Sequence, residues 1–133
     1  MEPENKVIVI TGGSGGIGSS MARAFLREGA EAVVISDLDS APVKACADTL
    51  GCDWRVCDVT DESQVQSLVD YVISKYGRVD VYCSNAGAAG SGSGVLTDAS
   101  NEIWQRQWDL HVMAHIYASR ALLPSMIDRG EGY

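Results

Sequence analysis

The glycines that follow the first apolar segment are the residues of this sequence best suited to binding a ligand. The segment Thr11-Gly-Gly-Ser-Gly-Gly-Ile-Gly18 joins a run of β-branched residues to a stretch of helical periodicity. Glycines permit a tight turn with positive φ, let a ligand approach the backbone, and leave N–H groups at the helix start free for an anion. The turn predicts a pyrophosphate site, but a tight turn without a ligand has the same composition.

An acidic residue at the end of the second apolar segment adds to this prediction. Asp37 comes about 20 residues after the turn, where a carboxylate accepts hydrogen bonds from a ribose diol. Such a carboxylate repels the extra phosphate of NADP, so the expected dinucleotide is NAD, with NADP disfavoured. The alternative is that Asp37 caps the next helix. No Gly-Lys-Ser/Thr follows the turn, which excludes the phosphate loop of nucleoside triphosphatases.

These residues must be positioned by a sheet, and the order of apolar and helical segments predicts that it is parallel. Apolar runs alternate with helical stretches, which is typical of parallel βαβ units. Strands are predicted over Lys6–Ile10, Ala32–Ser36, Trp54–Cys57 and Val79–Ser84. Helices are predicted from about Gly16 to Glu28, from about Ala41, from Thr60 to Gly77, and from about Asn101 to Arg129 with a kink before Pro124. The Gly, Ser and Ala segment from Ala88 to Ser93 is predicted to be a flexible loop.

The fold class follows from this alternation. We expect an α/β fold of the Rossmann type, which is a doubly wound parallel sheet with strand order 3-2-1-4 in a three-layer αβα arrangement. In such a sheet the glycine turn and Asp37 both lie at the carboxyl ends of the strands, where ligands bind. A length of 133 residues fits one domain, and 46% hydrophobic residues are enough for a core.

Charge and composition exclude several classes of partner. The net charge of −8 repels nucleic acid and anionic lipid surfaces. The acidic start and the short apolar runs predict a cytoplasmic protein without a targeting segment or membrane span. His111 and His115 lie one helical turn apart, but no third ligand is evident and Val112 replaces the Glu of zinc proteases, so no metal is expected. Reduced and buried thiols are expected for Cys46, Cys52, Cys57 and Cys83, because they lack CxxC spacing and lie in or beside apolar segments.

Three motifs in order carry a family resemblance. They are Thr11-Gly12-x-x-x-Gly16-Ile17-Gly18, Asp58-Val59 after the third strand, and Asn85-Ala86-Gly87 after the fourth. The chain resembles the N-terminal half of the short-chain dehydrogenase/reductase family. The resemblance implies that the turn residues, Ser14 among them, bind the pyrophosphate, that Asp37 holds the adenosine ribose, that Asp58 and Val59 border the adenine, and that Asn85, Ala86 and Gly87 steady the sheet beside the cofactor. For Asp58, a turn or helix-capping role is the alternative.

The resemblance also implies an activity. Members of the family transfer a hydride between a nicotinamide and an alcohol or carbonyl substrate, using a Tyr, a Lys and a Ser that come after the point where this chain stops. Residues 1–133 are therefore expected to be an NAD-binding Rossmann domain, truncated before the catalytic half and inactive alone. The full-length enzyme is expected to be a homo-oligomer, a dimer or tetramer. The alternatives are a non-catalytic, truncated nucleotide-binding product and, with a poorer motif match, a methyltransferase.

The sequence contains one misplaced match to the family pattern and one departure from it. Tyr71 and Lys75 have the Tyr-x-x-x-Lys spacing, but their helix precedes the fourth strand and is not expected to be catalytic. His111 stands where the family usually has an Asn that holds water in a proton relay. A His also holds water and carries a proton, which makes His111 the one catalytic candidate; a merely packed side chain is the alternative.

Overall fold

The structure, a computed structural model, contains one parallel sheet of four strands. It describes residues 2–88 and 96–133, so the predicted loop lies, beyond Ala88, outside the described residues. The strands are β1 (Val7–Thr11), β2 (Ala32–Asp37), β3 (Asp53–Val56) and β4 (Val81–Cys83). Their order is β3-β2-β1-β4, and every pairing is parallel. The predicted Rossmann-type sheet and its strand order are confirmed.

Helices follow each strand as the alternation predicts. They are α1 (Gly16–Arg27), α2 (Ser40–Leu50), α3 (Glu62–Tyr76), a 3₁₀ turn (Leu96–Asp98), α4 (Asn101–Trp108), a π-helical segment (Asp109–Met113) and α5 (Ala114–Arg129). Asp61 accepts from the N–H groups of Ser63 and Gln64 and so caps α3, which ends at Gly77 with φ 82°. These local signals explain why α3 begins and ends close to its predicted bounds.

Alternate residues of the strands build two separate cores. Ile8, Ile10 and Ile35 face α1 and α2, whereas Val7 and Val9 face α3 and α5. Since side chains along a strand alternate between the faces of a sheet, both faces of the central strands must be apolar. All five residues of β1 are buried, which explains its unbroken run of apolar side chains ending in Thr11. The three predicted αβα layers are present.

The last helical stretch contains an irregularity that the sequence did not predict. Pro124, before which we predicted a kink, lies inside α5, and the helix continues to Arg129. At Asp109–Met113 the hydrogen-bond pattern changes, and one turn is π-helical. Single π turns are frequent at functional sites, and His111 lies in the middle of this one.

The Tyr71 and Lys75 pair has a structural partner at the first residue of β3. Asp53 Oδ2 accepts hydrogen bonds from Tyr71 Oη, from Lys75 Nζ at 2.9 Å and from Tyr76 Oη at 3.1 Å. The Arg55 guanidinium lies 3.4 Å from the centre of the Tyr71 ring. Asp53 begins its strand, so this cluster is at the amino end of the sheet, opposite the ligand-binding edge. The cluster holds the edge strand β3 against α3.

Protonation of Asp53 at acid pH is expected to lower the stability of the fold. Burial opposes ionisation of Asp53, but hydrogen bonds from Tyr71 and Lys75 outweigh it and lower the pKa of Asp53 to about 2. An unfolded Asp has a pKa of about 3.9, so the stabilisation is complete above that pH and is lost as the pH falls toward 2. We expect the free energy of unfolding, measured by denaturant titration, to fall more steeply between pH 5 and about 2 in the unaltered protein than in Asp53→Asn. Asp70→Asn, on the exposed face of α3, is the control and should keep the steep decline; parallel curves for Asp53→Asn and the unaltered protein would contradict the assignment.

Candidate cofactor site

A cleft of about 490 Å³ opens at the carboxyl ends of the strands. Its volume is within the range of cofactor and small-molecule sites. Of the residues predicted from sequence to bind a cofactor, those that line it are Gly12, Ser14, Gly16, Ile17, Gly18, Asp37, Asp58, Val59, Asn85, Ala86 and Gly87. Thr11, the remaining predicted residue, is buried at the end of β1 beneath the cleft. The structure thus brings together residues that are far apart in the sequence.

The glycine turn is held against the second strand and leads directly into α1. Gly13 N donates to Ser36 O at 2.9 Å, and Gly15 N donates to Gly12 O at 3.2 Å. Gly12 has φ +64°, a conformation that favours glycine. No side chain caps α1 at Gly15, so the N–H groups of its first turn are available to an anion.

Hydrogen bonds to Thr11 join the turn after β4 to the glycine turn. Asn85 Nδ2 donates to Thr11 O at 2.9 Å and to Gly12 O at 3.3 Å. Thr11 Oγ1 accepts from the backbone N–H groups of Asn85 and Ala86, both at 3.1 Å, and donates to Cys83 O at 3.3 Å. The two loops that border the cleft therefore form one unit.

Asp37 points into the cleft and is bound to the glycine turn. Its Oδ2 accepts from Ser14 N at 3.1 Å and from Ser14 Oγ at 2.5 Å. Its Oδ1 accepts from Leu38 N at 2.9 Å. The N-cap of α2 is Asp39, so the alternative role of Asp37 as a helix cap is wrong.

Asp58 has a local partner in addition to its place beside the cleft. Asp58 Oδ1 accepts from Thr60 N at 2.9 Å and from Thr60 Oγ1 at 2.7 Å, which is the turn role considered for it. The helix-capping role belongs to Asp61. Burial, and then the charge of Asp58, raise the pKa of the neighbouring Cys57 thiol to about 11, which keeps it neutral at physiological pH. Cys57 is buried as predicted, but the predicted burial of Cys46, Cys52 and Cys83 is wrong, because these three side chains lie partly exposed at the borders of the core.

His111 contacts the loop that follows β4. Its Nε2 lies 3.2 Å from Ala88 O, and a Cβ added to Gly87 would lie 2.9 Å from His111 Cε1. The absence of a side chain at Gly87 thus makes room for the imidazole. Among the residues that the structure describes, no group of three or more His, Cys, Asp or Glu side chains is arranged to hold a metal.

Sequence reasoning missed several residues of the cleft. They are Leu38, Cys57, Ala88 and Leu110, whereas Gly15, which also lines the cleft, belongs to the predicted glycine turn. Leu38 is 61% exposed, and an exposed apolar side chain directly after Asp37 is a signal that sequence reasoning could have used. Among its described lining residues the cleft has two carboxylates and no Lys, Arg or His, and the free N–H groups at the start of α1 are donors suited to an anion.

Comparison with known proteins agrees with this architecture. The pattern that describes the short chain dehydrogenase family matches residues 6–133. The chain belongs to the short chain dehydrogenase family. The motif resemblance is thereby confirmed over nearly the whole sequence, and the cleft occupies the ligand-binding edge of a short chain dehydrogenase fold.

Similar proteins include two plant enzymes and a xylitol dehydrogenase of known structure. The chain is 33% identical over 132 residues to (+)-cis,cis-nepetalactol synthase NEPS3 of Nepeta racemosa, covering 97% of this chain and 49% of that protein. It is 35% identical over 130 residues to mitochondrial (-)-isopiperitenol/(-)-carveol dehydrogenase of Mentha piperita, covering 96% and 49%. The structure of NAD+-bound xylitol dehydrogenase matches with a TM-score of 0.88 at 26% identity, covering 99% of this chain and 52% of that one. The chain spans about half the length of these short chain dehydrogenase relatives.

Within residues 2–88 and 96–133, no helix has the length and apolar character needed to cross a bilayer.

Proposed function

We propose that this chain is the NAD-binding domain, residues 1–133, of an oxidoreductase that transfers a hydride between nicotinamide and an alcohol or carbonyl substrate. The observation that carries the proposal is Asp37, which faces a cleft without a basic side chain among its described lining residues. The residues fit the cofactor: Gly16 leaves open space at the start of α1, where free N–H groups can hold a pyrophosphate. NAD, when bound, supplies the hydride acceptor.

The residues of this chain have distinct tasks in the proposed reaction. The turn from Thr11 to Gly18 binds the pyrophosphate, and Asp37 orients the adenosine ribose. Asp58 and Val59 border the adenine, with Leu38 as an apolar neighbour. Asn85 and Ala86 hold the loop after β4 against the glycine turn through hydrogen bonds to Thr11, and Gly87 leaves room there for His111. The proton-handling Ser, Tyr and Lys belong to the catalytic half of the enzyme.

A second candidate function is nucleotide binding without catalysis. The observation in its favour is that the one Tyr-x-x-x-Lys pair of the chain is bound to Asp53 at the opposite end of the sheet. Under this proposal the chain binds NAD and turns over no alcohol or ketone. The sequence that follows residue 133 separates the two candidates: a strand that ends in Ser and a Tyr-x-x-x-Lys helix would support the oxidoreductase, and a stop codon would support the nucleotide-binding product. Turnover of a simple alcohol with NAD by the 133-residue chain alone would contradict both candidates.

The choice of cofactor gives the test of the proposed function. We expect NAD to bind at least tenfold more tightly than NADP, because a phosphate about 4 Å from the Asp37 carboxylate costs about 4 kcal/mol before screening. Isothermal titration calorimetry with each dinucleotide measures the ratio of the two dissociation constants. Asp37→Asn should bring the affinities for NAD and NADP closer together. Asp39→Asn, at the start of α2, should leave their ratio unchanged. Equal affinities for the two cofactors in the unaltered protein would refute the proposal.

The remaining roles are proposals of the same kind. The names of two relatives support a small alcohol or carbonyl substrate, and nucleic acid or membrane partners are not proposed. Exposed apolar side chains on α4 and α5, such as Trp104, Trp108 and Ile127, fit a homo-oligomer of the full-length enzyme. His111 is proposed to act in a proton relay, with Ala88 O holding one ring nitrogen. The cytoplasmic location stays a prediction.

A further inference from the structure

Two cysteines lie close together at the end of α2. Cys46 belongs to the helix, and Cys52 follows Gly51, the residue that ends it. Gly51 has φ 71°, and Cys52 N donates to Ala47 O at 3.1 Å, so the chain folds back beside the last turn of the helix. In a helix ending of this kind, the residue after the glycine commonly packs on the residue that accepts its N–H or on the one before it. The one before it is Cys46.

Packing and electrostatics agree that the two thiols are neighbours. Both side chains are partly exposed and pack against the apolar core that contains Ile35 and Val43. Burial first, and then the negative charges of Cys46 and Asp53, raise the pKa of the Cys52 thiol to about 11. The effect of one thiolate on another weakens with distance, so Cys46 is close to Cys52. Their partial exposure gives a small oxidant access to the pair.

The Cys46 thiol connects this pair to the glycine turn. Its Sγ donates to Gly13 O at 3.7 Å. Gly13 has little freedom to adapt, because its N–H is bound to Ser36 O and a Cβ added to it would lie 2.5 Å from Ile35 Cβ. Loss of the S–H proton, or a shift of Sγ toward Cys52, would therefore remove a donor that the turn cannot readily replace.

We propose that Cys46 and Cys52 are a redox-sensitive pair that closes to a disulfide and thereby loosens the glycine turn. The oxidant is a small disulfide such as oxidised glutathione. The Cys46 thiolate attacks it, which breaks its S–S bond, forms a mixed disulfide and releases one glutathione. The Cys52 thiolate then attacks the Cys46 sulfur and releases the second glutathione. Two protein thiols are oxidised, one disulfide is reduced, and the two protein protons pass to the departing thiolates.

The order of the two attacks follows from the surroundings of the thiols. Because of its raised pKa, Cys52 is rarely ionised at neutral pH and is a poor nucleophile toward an oxidant in solution. Beside a mixed disulfide on Cys46, the same thiol reacts at a high effective concentration. The effect of the disulfide on the turn rests on the proposed NAD-binding function, whereas formation of the disulfide does not.

Mass spectrometry of one tryptic peptide tests the disulfide. Cleavage after Lys44 and Arg55 gives a peptide that contains Cys46 and Cys52 and neither of the other cysteines. The 133-residue protein is treated with oxidised glutathione, and its free thiols are then blocked with N-ethylmaleimide. The peptide should be two hydrogen atoms lighter than its reduced form and carry no label. Cys52→Ser should instead retain glutathione on Cys46, because the second attack cannot occur. A peptide with both thiols labelled, or with glutathione on both, would overturn the proposal.

Calorimetric titration with NAD before and after oxidation tests the consequence for the turn. The oxidised protein should bind NAD about two- to fivefold more weakly, as expected for loss of one weak hydrogen bond, and dithiothreitol should restore the affinity. Cys46→Ala lacks the S–H donor, so it should bind NAD as weakly as the oxidised protein and should not respond to oxidised glutathione. Cys83→Ser, on β4, is the matched control and should respond like the unaltered protein.

The two measurements separate this proposal from the proposed function. If the disulfide forms and NAD affinity stays the same, the pair does not act on the glycine turn and the proposal is overturned. Absence of NAD binding by the reduced, unaltered protein would instead contradict the proposed function, and the peptide would still decide whether Cys46 and Cys52 form a disulfide.

Discussion

Asp80→Asn is expected to lower the free energy of unfolding by about 3 kcal/mol. The Asp80 side chain is 2% exposed and bears a charge that is fully paired. Its Oδ2 accepts from Val7 N at 2.9 Å and from Arg78 Nε at 2.8 Å, and its Oδ1 lies 3.5 Å from Arg129 Nη2. An amide at this position removes the negative charge between two guanidinium groups and leaves donor facing donor. The two Arg side chains are about one-third exposed, so water moderates the loss and places it at the lower end of the range for buried pairs.

Denaturant unfolding at neutral pH measures this loss, and an exposed ion pair provides the control. Asp48 binds Lys44 at 2.6 Å one turn away on α2, with both side chains more than half exposed. Asp48→Asn should therefore change stability by about 0.5 kcal/mol or less. A comparable effect of the two substitutions would show that burial of the Asp80 pair contributes nothing.

The backbone of Tyr133 is hydrogen-bonded to the backbone beside the Asp80 ion pair. Tyr133 N donates to Asp80 O at 2.8 Å, and Tyr82 N donates to Tyr133 O at 2.9 Å. These two bonds have the pattern of parallel strand pairing along the outer edge of β4. Lys6 pairs with Glu131, and Arg129 Nη2 donates to Val79 O at 2.7 Å. Loss of the Asp80 charge is expected to loosen this segment together with β4.

Local patterns explain why the sheet was predictable. Buried parallel strands require continuous apolar residues. The apolar run before Thr11 is too short for a buried helix and therefore indicates a strand. The shorter strands were less well bounded: β4 is confined to Val81–Cys83 within the predicted Val79–Ser84. Asp80 lies inside that predicted range, but its side chain is engaged with Val7 N and Arg78, a non-local contact that periodicity does not reveal.

The hydrogen bonds between side chains were the part of the structure that the sequence could not predict. The motifs placed Ser14 and Asp37 at the same sheet edge, but the bond between them depends on the twist of two strands and on side-chain rotamers. The same holds for Asp53, whose partners Tyr71 and Lys75 are 18 and 22 residues away. The π turn at Asp109–Met113 has no sequence signature of its own, because a change in helical hydrogen bonding is decided by tertiary packing.

Gly18→Ala is expected to be the most damaging single substitution in the cleft. A Cβ at Gly18 would lie 2.8 Å from Gly13 Cα and closer still to Gly12 O. Both are backbone atoms that cannot withdraw, since Gly13 N is bound to Ser36 O and Gly12 O accepts from Asn85 Nδ2. Forcing a methyl group into such a contact typically costs about 1–3 kcal/mol of stability and shifts the backbone. We expect that loss in denaturant unfolding, together with a fall in NAD affinity of about a hundredfold or more, because the N–H groups move away from the pyrophosphate.

Gly16→Ala makes the same chemical change in the same turn and should behave differently. A Cβ at Gly16 meets no atom within 4 Å, and Ala is preferred over Gly in a helix by about 0.5–1 kcal/mol. Stability should therefore stay the same or rise slightly. The added methyl group projects into the cleft, so NAD affinity should still fall, by about tenfold, as its pyrophosphate is held away from the helix start. Equal stability of the two variants would contradict the close packing at Gly18, and undiminished NAD affinity in Gly16→Ala would mean that the anion binds elsewhere than at this turn.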